Sequence, residues 1–185
     1  STSRRQRQMC IRDRENGDKI KVQIGDATPG TYTYQSSGLT VADGDAYAYW
    51  ASKADGQNIR AWYTSSGNET VDLSDQTKGL AYVVTAQKTA NFNTEVSLTF
   101  SHALAKVRVE LTGETASFVD NVSIKGYTTC ALSQGTWSNG ANVGEIKMYK
   151  VADKVFEANV YPGYQIKEVK ANNGCLLYTS PSPRD

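Results

Sequence analysis

The sequence predicts an all-β protein, an antiparallel β-sandwich. Short runs of alternating apolar and polar residues recur between turn signals along the chain. Tyr, Thr, Val, Gly and Asn are abundant and Leu is scarce, the balance of a pleated, half-buried surface. No window of a dozen residues carries an apolar stripe at helical spacing.

Taken in order, the strands read as follows. "KIKVQI" (Lys19 to Ile24) puts Ile20, Val22 and Ile24 on one face. "TYTY" (Thr31 to Tyr34) follows a Pro29-Gly30 turn, "AYAYW" (Ala46 to Trp50) follows the loop "ADGD", and "NIRAWY" (Asn58 to Tyr63) follows "ADGQ". "LAYVVTA" (Leu80 to Ala86) precedes the longest run, Val96 to Leu111. Later come "NVSIKG" (Asn121 to Gly126), "EIKMYKV" (Glu145 to Val151), "VFEANV" (Val155 to Val160) and "YQIKEV" (Tyr164 to Val169). The loosest stretch, Ser133 to Gly144, reads as a junction between subdomains.

The longest run contains an inconsistency. Val96, Leu98 and Phe100 are apolar at even positions, whereas Val107, Val109 and Leu111 are apolar at odd ones. A continuous strand cannot change parity without turning its apolar face to water. A β-bulge or a break into two strands must fall within Ser101 to Lys106. The single histidine, His102, lies at that irregularity, which favours a structural place for it over a chemical one.

Both ends read as translated DNA adapter. Cys175 to Ser180 can be encoded by a stretch whose reverse complement runs from the Gln8 codon into the Arg14 codon, spelling Met9 to Asp13 on the way. Residues 1–14 and 175–185 are therefore expected to be non-native and are left out of fold reasoning. Of 20 basic and 19 acidic residues in the chain, these ends carry six and two; 14 and 17 remain, a net charge of −3. The "RRQRQ" basic run disappears with them, and no electrostatic footprint for nucleic acid is left. One cysteine, Cys130, remains, so no internal disulfide is expected and its role is open.

Few residues suggest chemistry. Ser101 and His102 are neighbours on a strand and point to opposite faces, so they do not form a nucleophile–base pair. "DGD" (Asp43 to Asp45) lacks the further acids of a calcium loop and reads as a solvated turn. No catalytic set, metal site or cofactor motif is expected. Tyr47, Tyr49, Trp50, Trp62 and Tyr63 lie close in sequence and allow two readings: cross-strand core contacts, or a surface that stacks on sugar rings or seats a partner protein.

Three blocks, "NGDKIKV" (Asn16 to Val22), "YAYW…NIRAWYTSSG" (Tyr47 to Gly67) and "VSLTFSHALAKVRVELTG" (Val96 to Gly113), resemble in order the fimbrillin-like family of Gram-negative anaerobes. These are surface lipoproteins that build, anchor or cap short fimbriae. The third block is the most specific, through Phe100, His102, Ala103, Leu104, Lys106 and Val107. The resemblance implies a non-catalytic subunit without cofactors. It implies a transthyretin-like N-terminal sandwich over residues 15–135, with 136–174 leading into a truncated C-terminal domain. Its partners are then other fimbrial subunits, joined by strand donation, and host or microbial surface glycans or proteins. Its location is the cell surface, held at the outer membrane only by a lipid anchor expected upstream. The runner-up function is a carbohydrate-binding surface module built on the five aromatics.

Overall fold

The computed structural model describes residues 16–133, 135–138, 140–172 and 177–179. Of the two stretches assigned to adapter DNA, 177–179 alone falls among the described residues. The described chain is β throughout, with antiparallel sheets, one 3-10 turn at Glu114–Phe118 and no α-helix. It divides into two compact units, one of Ser1–Tyr63, Val83–His102 and Gln134–Thr136, the other of Thr64–Tyr82, Ala103–Ser133 and Trp137–Asp185.

The first unit holds a six-stranded sheet, in the order β3, β2, β1, β4, β6, β7. The strands are β1 (Lys19–Ile24), β2 (Gly30–Gln35), β3 (Gly38–Thr40), β4 (Gln57–Thr64), β6 (Val83–Ala90) and β7 (Ser101–His102). β1 pairs antiparallel with β2 and with β4, and its expected apolar face is kept: Ile20 is buried with Ala61 and Ala86, and Val22, Tyr34, Tyr63, Leu98 and Phe100 pack around them, while Gln23 on the other face is buried too and donates to Ala27 O (3.0 Å). "AYAYW" does not form a strand; it lies beside β2, tied by the Thr31 N–H to Ala46 O (2.8 Å) and by the Ala48 N–H to the Tyr32 hydroxyl (3.1 Å). Its backbone passes so close to Gly30 that a Cβ there would sit 2.2 Å from Ala48 N, so only glycine fits.

The second unit holds two sheets around one core. The first is centred on β9 (Asn121–Ser133), which pairs with β5 (Thr70–Asp72), β11 (Ala141–Lys147) and β14 (Val169–Asn172). It also takes β10 (Thr136–Trp137), and β15 (Leu177–Thr179) pairs with β14. The second sheet is β12 (Tyr149–Ala152), β13 (Val155–Val160) and β8 (Ala105–Glu110), in that order. Val122, Ile124, Ile146 and Ala171 from one sheet meet Phe156, Ala158 and Val160 from the other. Val107, Val109 and Leu111 lean on the same cluster. This is sandwich packing, in which each fully buried side chain such as Phe156 contributes about 1.5–3 kcal/mol. "EIKMYKV" spans two strands because the chain changes sheet at the buried Met148, whose N–H bonds Val122 O (2.9 Å).

One side of this sandwich is closed by the segment after β5. The Lys147 N–H donates to Ser74 O (2.8 Å) and the Gln76 N–H to Lys147 O (3.0 Å), which fixes the segment to the edge of β11. The Gln76 side chain reaches the other sheet. Its Nε2 donates to Asn159 O (2.8 Å) and Leu73 O (3.2 Å), and its Oε1 accepts from the Asn159 N–H (3.0 Å) and the Ala81 N–H (3.0 Å). β12 pairs with β13 only as far as Glu157, so the buried Gln76 amide continues the ladder where the strand stops. Two turns shape the clasp: Asp72 Oδ1 accepts the Ser74 N–H (2.8 Å), and Asp75 Oδ1 accepts from both the N–H (3.0 Å) and the hydroxyl (2.6 Å) of Thr77.

Gln76→Ala strips partners from the Asn159 N–H and C=O and from the Ala81 N–H. We expect a loss of about 3 kcal/mol in urea unfolding, and a loss under about 1 kcal/mol would show the clasp to be dispensable. Hydrogen bonds from Ser74 hold the Asp72 carboxyl, and those from Thr77 the Asp75 carboxyl, below the ordinary 3.8. A folded value below the unfolded one means that the stabilisation is present above 3.8 and is lost as pH falls through the lowered folded value. Exchange protection of the Gln76 and Thr77 amides should therefore fall only below pH 3.8, and Asp75→Asn should blunt that step.

Candidate functional site

The sequence motif at Phe100 to Val107 marks the passage of the chain from the first unit to the second. The expected irregularity is a break into two strands, β7 and β8. Phe100 packs on the first core and Val107 on the second, so the parity change serves two cores. His102 is exposed and pairs with Val84; Ala103 is half-buried and Leu104 is buried. Lys106 is exposed and points its ammonium at Glu157.

β8 is the outer strand of its sheet. It pairs with β13 from Ala105↔Val160 to Glu110↔Val155. The Leu111 N–H donates to Lys154 O (2.8 Å) just beyond that ladder. Antiparallel bonding alternates, so the odd residues of β8 bond β13, and the backbone groups of Lys106, Arg108 and Glu110 point to the open side. No strand among the described residues pairs with them. Val107, Val109 and Leu111 face the core yet are only half-buried, while Ala105, Lys106, Arg108 and Glu110 are exposed. On the opposite face of β13, the nearly buried Glu157 carboxylate takes two cations: Lys106 Nζ at 3.3 Å from Oε2 and Arg108 Nη1 at 3.2 Å from Oε1.

The five aromatics do not converge. Trp62 is buried, and Tyr63 packs by the first core with its hydroxyl donating to Asp18 (3.1 Å). Trp50 is half-buried, edge-on to Phe92 at 6.0 Å. Tyr47 and Tyr49 are exposed, with rings 6.3 Å apart and tilted by 54°. A different cluster, which sequence reasoning missed, lies in the second unit. Tyr161 meets Tyr127 (5.9 Å) and Trp137 (5.6 Å) edge-to-face, and Tyr127 meets Tyr164 (5.2 Å). The Trp137 indole N–H there is buried with no acceptor among the described residues. "YPGY" (Tyr161 to Gly163 and on to Tyr164) was the available signal, but nothing local ties it to Tyr127 or Trp137.

Elsewhere, Asp45 of the "DGD" turn pairs with Lys19 (3.3 Å). Among the described residues no group of three or more His, Cys, Asp or Glu could hold a metal. A trough of about 440 Å³ crosses the outer face of the β9 sheet, lined by Asp75, Asn121, Ser123, Glu145, Lys147 and Lys170, with two acids against two bases. No helix among the described residues is long and apolar enough to cross a membrane.

Cys130 is buried opposite Val71 of β5, and burial pushes its thiol up to about 11. At pH 8 roughly one thiol in a thousand is then ionised. With Cys10 and Cys175 replaced by serine, iodoacetamide should label Cys130 at least about 100-fold more slowly in the folded protein than in urea, the rate rising with pH. Equal rates would show that the β5–β9 pair opens freely.

No curated protein and no solved structure matches the chain. The fimbrillin-like profile matches residues 11–181, a span that takes in both sheets of the second unit, the first-unit sheet and the β7–β8 passage. With nearly the whole chain so matched, the protein belongs to the fimbrillin-like family.

Proposed function

We propose that this chain is a structural or adhesive subunit of a bacterial surface fimbria, joined to its neighbours by strand pairing at β8. Membership of the family implies a fimbrial subunit at the cell surface that associates with others, in a group generally structural rather than catalytic. The observation that carries the finer reading is the edge of β8. Outward backbone groups at Lys106, Arg108 and Glu110 lie beside apolar side chains, Val107, Val109 and Leu111, that remain half-buried. A donated strand satisfies both at once: its backbone takes the N–H and C=O groups that no strand among the described residues pairs, and its inward side chains complete the cover of the core. The transthyretin-like topology and an N-terminal lipid anchor upstream of this chain belong to the same proposal. No catalytic role is assigned to any residue. The alternative of carbohydrate binding draws on Tyr47 and Tyr49, the two exposed members of the five aromatics.

Hydrogen exchange tests this reading. The amides of Lys106, Arg108 and Glu110 should exchange freely in the isolated protein and be slowed at least about 100-fold within assembled fimbriae. Glu110→Pro removes one outward N–H at an edge position that tolerates proline, and should block incorporation while Glu110→Ala does not. Unchanged exchange of these amides on assembly would remove β8 as the joint.

A further inference from the structure

The charges along β8 specify which strand it accepts. One carboxylate, Glu157, faces two cations, Lys106 and Arg108, so this cluster of three carries one positive charge in excess; Glu110, exposed two residues beyond Arg108, balances the far end of β8 and leaves the excess at the Lys106 end. Lys106 and Arg108 keep 39% and 56% of their side-chain surface exposed, against 11% for Glu157, so the excess is presented to whatever lies alongside. These are also the residues whose backbone faces the open side, so a pairing strand sets its own outer-face side chains directly opposite them. A lysine or arginine placed there adds a third cation to a single carboxylate. An aspartate or glutamate restores alternation of sign.

We infer that the partner of β8 is an extended segment whose inward residues are apolar and whose outward residues opposite Lys106 and Arg108 include a carboxylate. This inference rests on the strand-pairing reading of β8 and adds to it the identity of the partner's outer face. The occupant is a peptide strand of stated pattern: apolar residues in register with Val107 and Val109, and acid between them.

Three synthetic nine-residue peptides of alternating valine and threonine provide the probe, with the central threonine kept, or replaced by aspartate, or replaced by lysine. Binding is read by amide shifts of Lys106, Arg108 and Glu110 in the full chain at low salt. The aspartate peptide should bind about fivefold more tightly than the lysine peptide, with the preference fading as salt rises. Lys106→Gln leaves one cation on Glu157 and should abolish the preference; Glu157→Gln leaves both cations unbalanced and should enlarge it. Variants that move the preference in opposite directions cannot be explained by loss of structure alone. Equal binding of all three peptides at β8 overturns the charge inference while leaving strand pairing intact. If no peptide shifts the β8 amides, strand pairing fails, and this inference with it.

Discussion

β13 is buried on both faces, and that constraint organises the second unit. Phe156, Ala158 and Val160 face the core, but Glu157 and Asn159, which point the other way, are also almost inaccessible to water. Every polar group of such a strand needs a partner within the protein. Asn159 meets this need through Gln76 on its backbone and Ala81 O on its side chain. Glu157 is harder to satisfy, because a lone carboxylate out of water costs several kcal/mol. Lys106 and Arg108 supply the compensation from β8. The outward residues of the edge strand are thus dictated by an acid on the strand beside it. The surplus of charge at the Lys106 end of the edge follows from two cations sharing one anion, while Glu110 follows at the other end.

A second constraint acts along the chain rather than across it. A strand offers one parity to one core. Leu98 and Phe100 serve the first core, and Val107 and Val109 serve the second, so the segment from Val96 to Leu111 cannot be a single strand. The residues between, Ala103 and Leu104, take up the change of phase. His102 lies on the last residue of β7 and Lys106 on the second of β8, which places the motif at the passage between two packing problems.

Alternation made much of this legible. β1 keeps its expected apolar face, with Ile20 and Ile24 buried and Val22 half-buried, although Gln23 on the other face is buried as well. The parity change within Ser101 to Lys106 located the break. Non-local contacts hid the rest. Gly126 reads as a stop, yet β9 continues to Ser133, because glycine there leaves room for Ile146, whose Cδ1 lies 3.0 Å from where a Cβ would sit. "LAYVVTA" begins its strand only at Val83, since Ala81 and Tyr82 are engaged by Gln76 and Ser65. Tyr164 and Ile166 read as strand but are held by Tyr127 and the core, and pairing starts only at Val169. Gln76 carried no local sign of its role: a glutamine amide standing in for a strand can be seen only once both sheets are placed. A compact unit assembled from three separated stretches likewise leaves no single composition boundary to read.

In the proposed strand pairing at the β8 edge two kinds of recognition would meet, and their magnitudes divide the work. Each backbone bond formed by an added strand contributes about 0.5–1.5 kcal/mol net and is indifferent to sequence. Covering Val107, Val109 and Leu111 adds an apolar term that requires only alternation in the partner. An exposed ion pair contributes up to about 1 kcal/mol. Under that proposal the backbone and the apolar cover set how tightly a strand is held, and the charge sets which of several similar strands is held. Among strands alike in alternation, the difference made by one acid is the part of the interaction that can discriminate. In this family member that part originates in Glu157, a residue of the neighbouring strand β13, whose need for partners gathers two cations at the Lys106 end of β8.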